Sequence, residues 1–163
     1  MTKLNCYFAY GSNLSRQRLR ARVPAAVEMG VARLPHWALC FDKHGRDGSA
    51  KASIRRAFGQ EVWGAVYRID PENRAPLDAA EGLGIEYSLC EVQVQTGPGR
   101  SQEAYTYVAL RRKQGLPVAQ WYLDHILVGI AEHRLPAGWL RHVTALSEAS
   151  KSFPKGSGET ASG

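Results

Sequence analysis

The stretch 61-EVWGAVYRI-69 decides how the rest of the chain is read. It is apolar on both faces, with no alternation of wet and dry positions. A strand of that kind has protein on each side, so it belongs at the centre of a sheet or in the wall of a barrel. Working outward, 52-ASIRRAF-58 is a further short strand, and 44-HGRDGSA-50 before it has the Gly, Asp and Ser content of an exposed loop. Upstream, 25-AAVEMGVARL-34 and 37-WALCFDK-43 read as two separate strands, and 4-LNCYFAY-10 as a first, buried one. Downstream, 87-YSLCEVQVQT-96 alternates. Cys90, Val92 and Val94 share one face and Glu91, Gln93 and Gln95 the other, as in a strand with one wet side. The turn 96-TGPGRSQ-102 leads into 103-EAYTYVAL-110, which completes a hairpin.

Helical signals are fewer and sit mostly at the end. After the first strand, 14-LSRQRLRAR-22 is a short helix that Ser12 or Asn13 is suited to cap and that Pro24 stops. In 70-DPENRAPLDAAEG-82 a start at Asn73 puts Pro76 in the first turn, where no N–H is missed. Gly82 then ends that helix and leaves Glu81 on its last turn. Residues 118, 121, 122, 126, 127 and 130 form an apolar stripe at helical spacing, and Pro136 opens a last helix over 137–146. The order of strands first and helices last predicts an α+β fold. One domain over 1–146 is expected, followed by a disordered tail over 147–163, where apolar residues are scarce.

Composition narrows the function classes. The 163 residues are 44% hydrophobic and 22% charged, with a formal net charge of +6. No apolar run approaches the roughly 20 residues of a membrane helix, so no membrane partner is expected. The N-terminus lacks the basic, apolar and small-residue order of a secretory signal, which predicts a cytoplasmic protein. The basic residues Arg16, Arg18, Arg20 and Arg22 spread around more than half of a helix and read as a solvated face. No aromatic-rich strand or basic recognition helix completes a nucleic-acid module, so no nucleic-acid partner is expected. Cys6, Cys40 and Cys90 are odd in number, lack metal spacing and lie in strand-like runs, as buried thiols do. No zinc motif, phosphate loop or nucleophile elbow is present.

Two places carry chemistry. Gly11-Ser12-Asn13 turns from a strand into a helix and exposes several N–H donors where the helix dipole is positive. Such a nest suits a carboxylate or an oxyanion, although plain strand-to-helix turns look the same. Glu81 faces the negative end of its helix dipole, which raises its pKa and suits a general base. An exposed helix-end glutamate is the plainer alternative.

With these residues in view, 7-YFAYGSNLS-15, 47-DGSAKASI-54, 61-EVWGAVYRID-70, 77-LDAAEG-82 followed by a tyrosine, and 129-GIAEHRLP-136 together resemble the gamma-glutamylcyclotransferase family. The resemblance runs from about Leu4 to about Leu146. It implies a small mixed β-barrel with flanking helices and an activity without metal or cofactor: a gamma-glutamyl compound releases an amino acid or amine and leaves 5-oxoproline. It further implies a substrate loop of Tyr10, Gly11, Ser12 and Asn13, with Glu81 as the acid/base and Tyr87 and Tyr122 lining the pocket. The partner implied is the small gamma-glutamyl substrate. A homodimer is compatible with the resemblance, and the sequence leaves the oligomeric state open. The competing expectation is a catalytically silent protein on the same scaffold that binds glutamyl or carboxylate compounds.

Overall fold

The computed structural model describes residues 2–151. Five strands close into a barrel in the order β1-β3-β2-β4-β5. They are β1 (Cys6–Ala9), β2 (Val27–His44), β3 (Ala50–Arg68), β4 (Tyr87–Gly97) and β5 (Arg100–Ala109). Around them lie α1 (Arg16–Arg22), α2 (Ala75–Glu81), α3 (Gln120–Glu132) and α4 (Ala137–Lys151). The stretch 61–69 takes the place its two apolar faces require: β3 runs antiparallel to both β1 and β2. Its Val62, Ala65, Val66 and Tyr67 are almost fully buried. β1 is the short strand that closes the barrel, antiparallel to β3 with Tyr7 opposite Tyr67, and parallel to β5 with Tyr7 opposite Tyr105.

Four expectations change. The four strands expected over 25–43 and 52–69 are two long ones, each running through a bulge. Pro35 pairs with Glu61 and Trp37 with Arg56, so His36 alone stands opposite residues 57–60. Left-handed backbone at His36 (φ 64°) and Gly59 (φ 79°) absorbs the excess, and pairing resumes beyond it. The short first helix is capped by Ser15, whose hydroxyl accepts from the Arg18 amide, whereas Ser12 and Asn13 lie in a separate 3₁₀ turn over Ser12–Leu14. The last helix runs to Lys151, beyond the boundary expected at 146, and buries Ser147 and Ser150; residues 152–163 of the expected tail lie outside the described residues.

The long helix stripe is also shifted. Tyr122, Leu123, Ile126, Gly129 and Ile130 face the core, while Trp121 is half exposed. Other readings hold as stated. Pro76 lies in the first turn of α2, and Gly82 ends that helix in the left-handed conformation (φ 64°, ψ 47°). Among the described residues no helix is long and apolar enough to cross a membrane.

α3 supports the turn after β1 from behind. Gly129 packs so closely that a Cβ placed there would lie 2.3 Å from the Leu14 Cβ and 2.5 Å from its carbonyl carbon. His133, with its side chain fully buried, has Nε2 at 3.0 Å from the Leu14 carbonyl oxygen and at 2.9 Å from the Tyr67 hydroxyl. Its Nδ1 is 3.0 Å from the Glu28 carboxylate. Gly129→Ala gains about 1 kcal/mol of helix propensity but forces rigid backbone apart, at the upper end of the roughly 1–3 kcal/mol that overpacking costs. A net loss of about 1–2 kcal/mol is expected, read as a lower urea midpoint.

Candidate active site

The turn after β1 and the end of α2 meet at one mouth of the barrel. Every residue singled out for the site lines the same small pocket there: Tyr10, Gly11, Ser12, Asn13, Glu81, Tyr87 and Tyr122. Tyr7 and Tyr107 line it too, and were not anticipated.

Asn13 is the joint. Its Nδ2 donates to Glu81 Oε1 at 2.8 Å and to the Tyr7 hydroxyl at 3.0 Å, and its Oδ1 accepts from Arg22 Nη1 at 2.8 Å. A guanidinium only donates and a carboxylate only accepts, so these partners fix which way the amide points. Arg22 Nη1 also reaches Glu81 Oε1, at 3.2 Å. Both contacts fall on one oxygen, and Oε2 takes no hydrogen bond from the described residues. Arg22 was read as part of a solvated face. Its position one helix away from Asn13 carries no local signal, because only the tertiary fold sets it beside Glu81.

Glu81 is placed by the helix before it. On α2, Asp78 Oδ1 accepts from the Tyr107 hydroxyl at 2.6 Å, and its Oδ2 accepts from the buried Arg74 at 3.0 Å. That anchors the turn whose next same-side residue is Glu81. Removal from water raises the Glu81 pKa, an effect partly offset by the Arg22 charge and the Asn13 hydrogen bond. The side chain is only 15% exposed, which excludes the plainer reading of a solvated helix end.

The tyrosines brace Ala52 from both sides of its peptide. Tyr122 accepts from the Ala52 N–H at 2.9 Å, and Tyr87 donates to the Ala52 carbonyl at 2.9 Å. Tyr10 donates to the Tyr107 carbonyl. Burial raises the pKa of all three, Tyr122 to about 12, so they stay neutral phenols around pH 7. The amides of Ser12 and Asn13, at the open end of the 3₁₀ turn, donate to no acceptor among the described residues. A largely buried carboxylate therefore stands beside spare N–H donors in a pocket walled by phenols.

The pocket opens past Ser12, Glu81, Tyr87 and Tyr122 into a cleft of about 310 Å³. That is enough for a small ligand.

A model of the AIG2-like family matches residues 61–143. Gamma-glutamylcyclotransferase of Mus musculus is 34% identical over 147 residues, covering 86% of this chain and 77% of the mouse protein. The Homo sapiens protein of that name is 33% identical over the same shares. The chain belongs to the gamma-glutamylcyclotransferase family. A solved structure described as a gamma-glutamyl cyclotransferase superimposes with a TM-score of 0.80 at 31% identity, over 86% of each chain. The mixed barrel and its flanking helices are thus the family's fold, as the resemblance implied.

The raised Glu81 pKa has a consequence for stability. An acid that titrates higher in the folded than in the unfolded chain binds more protons when folded, so it costs stability as pH rises from about 4.5 towards its folded pKa. Glu81→Gln removes that cost. The variant is expected to unfold at a higher temperature than the native protein at pH 7.5, with the gap closing as pH falls towards 4.5, measured as paired melting curves.

Proposed function

We propose that this protein is a gamma-glutamyl cyclotransferase in which Glu81 moves the proton. The observation that carries the reading is the carboxylate of Glu81: largely buried, held through one oxygen by Asn13 and Arg22, and free at the other. The substrate's α-amine must attack its own γ-carbonyl carbon. Near neutral pH that amine is mostly ammonium and has no lone pair to offer. Glu81 takes the proton, and its raised pKa narrows the gap over which the proton must move.

The amine nitrogen then bonds to the γ-carbonyl carbon, and the bond from that carbon to the leaving nitrogen breaks. Glu81 gives its proton to the departing nitrogen, then takes the second proton that the attacking nitrogen sheds as it becomes the lactam N–H, and passes it on so that the amine leaves as an ammonium. The products are 5-oxoproline and a free amino acid or amine. No water is consumed and the carboxylate is restored. Because the attack is intramolecular, holding the substrate folded supplies much of the acceleration. The phenols of Tyr10, Tyr87 and Tyr122 shape that fold, and the Ser12 and Asn13 amides offer donors to the glutamyl end, where negative charge lies or develops.

Incubating the pure protein with gamma-glutamyl dipeptides and measuring 5-oxoproline tests this reading. Turnover is expected, and Glu81→Gln is expected to lower it by about 10²–10⁴-fold with the fold retained. Tight binding of 5-oxoproline or glutamate without turnover would instead identify a silent binding protein. The acid limb of the kcat/KM profile is expected above the ordinary glutamate range of about 4.3, because burial raises the Glu81 pKa. A pH series between 4 and 8 reads it.

A further inference from the structure

The outer cleft holds more positive than negative charge. Arg18, Arg22, Lys43, Arg46 and Lys51 line it, against Asp47, Glu81 and Glu86. Four of the five cations have a carboxylate within reach. Arg22 meets Glu81 at 3.2 Å, Lys43 and Arg46 meet Glu86 at 2.6 and 3.3 Å, and Lys51 meets Asp47 at 3.2 Å. Arg18 forms no ion pair with any described residue. Its Nε donates to the Ser12 hydroxyl at 3.0 Å, and its two terminal nitrogens have no partner among the described residues. A guanidinium so held keeps a planar pair of donors with no acceptor among the described residues, an arrangement that matches a carboxylate.

Position says which end of a substrate meets it. Glu81 and Ser12 stand at the junction of pocket and cleft, while Arg18 and Trp121 line the cleft alone. With the glutamyl end at Glu81 and the turn amides, whatever departs from the γ-carbonyl extends into the cleft. The half-exposed indole of Trp121 forms a floor there, with the Arg18 guanidinium 5.8 Å and the Lys51 ammonium 4.3 Å from its centre. Two cations thus lie against one indole ring. Burial and the neighbouring Arg22 charge both make an isolated cation at Arg18 unfavourable, a cost that an incoming anion relieves.

We infer that Arg18, with Lys51 beside it over Trp121, is the specificity-determining residue that reads a carboxylate carried by the leaving group. The inference rests on the cyclotransferase reading above. It makes the enzyme discriminate by charge at the departing end: a gamma-glutamyl amino acid is held there, and its neutral amide is not.

The test compares gamma-glutamyl-alanine with gamma-glutamyl-alaninamide, which differ at that one group. With the native protein the acid is expected to exceed the amide in kcat/KM by about 10–100-fold, the range of a charge-assisted hydrogen bond. In Arg18→Gln that ratio is expected to fall to within about threefold of one, and Arg18→Lys to keep part of it. The ratio is the readout because a merely structural role lowers both substrates together and leaves it unchanged. A native ratio near one overturns the inference, and so does an Arg18→Gln protein that keeps the native ratio. The native comparison stands even where a variant does not fold. No 5-oxoproline from either substrate overturns the cyclotransferase reading, and this inference with it.

Discussion

A carboxylate that is to shuttle a proton must be dry enough to hold one and must not be quenched by a cation it cannot leave. Glu81 meets both conditions through Asn13. Burial alone would favour the neutral acid, and Arg22 alone would favour the fixed anion. The amide bonds to both, Arg22 also reaches Glu81 directly, and the two contacts on Glu81 fall on a single carboxylate oxygen, which leaves the other free. The rest of the site follows from keeping Asn13 in place. The 3₁₀ turn carries it, His133 and Gly129 of the α3 region press on that turn at Leu14, and Asp78 fixes the other side of the contact through Tyr107 and Arg74.

Those supports explain why the protein tolerates an ionisable group that burial disfavours. The β-barrel presents a rigid rim, and the residues near Glu81 are held by partners that are themselves anchored in strands. Tyr7 and Tyr107 belong to β1 and β5, and the Ala52 peptide braced by Tyr87 and Tyr122 belongs to β3. Sites built on regular elements hold their geometry more closely than sites on free loops.

Much of this was legible in the sequence where the signal is local. The two apolar faces of 61–69 placed β3 inside the barrel wall. Pro76 and Gly82 bounded α2 and put Glu81 on its last residue. Other features rest on distant contacts and leave no local mark. Arg22 looks like any basic residue on a short helix until the fold sets it against Glu81. The bulge opposite His36 hid the continuity of β2 and β3, because Pro35 and the left-handed His36 read as a break when pairing cannot be seen. Ser12 and Asn13 have the right chemistry for a cap, but the turn they occupy leaves the capping to Ser15. Trp121 fitted the helical stripe by spacing, yet it stands half exposed at the cleft.

The short β1 also orders events during synthesis. It emerges first, but its partners are β3, which pairs with it near residue 67, and β5, which pairs with it near residue 105. The turn that follows β1 leans on Gly129 and His133, later still. Contacts this far apart in sequence form late, since the intervening chain must first be closed into loops. The candidate site therefore has one of its walls, the turn over Ser12–Leu14, made early and braced near the end. A nascent chain that has not yet reached His133 carries Asn13 and Glu81 without the helix that holds the turn against the barrel.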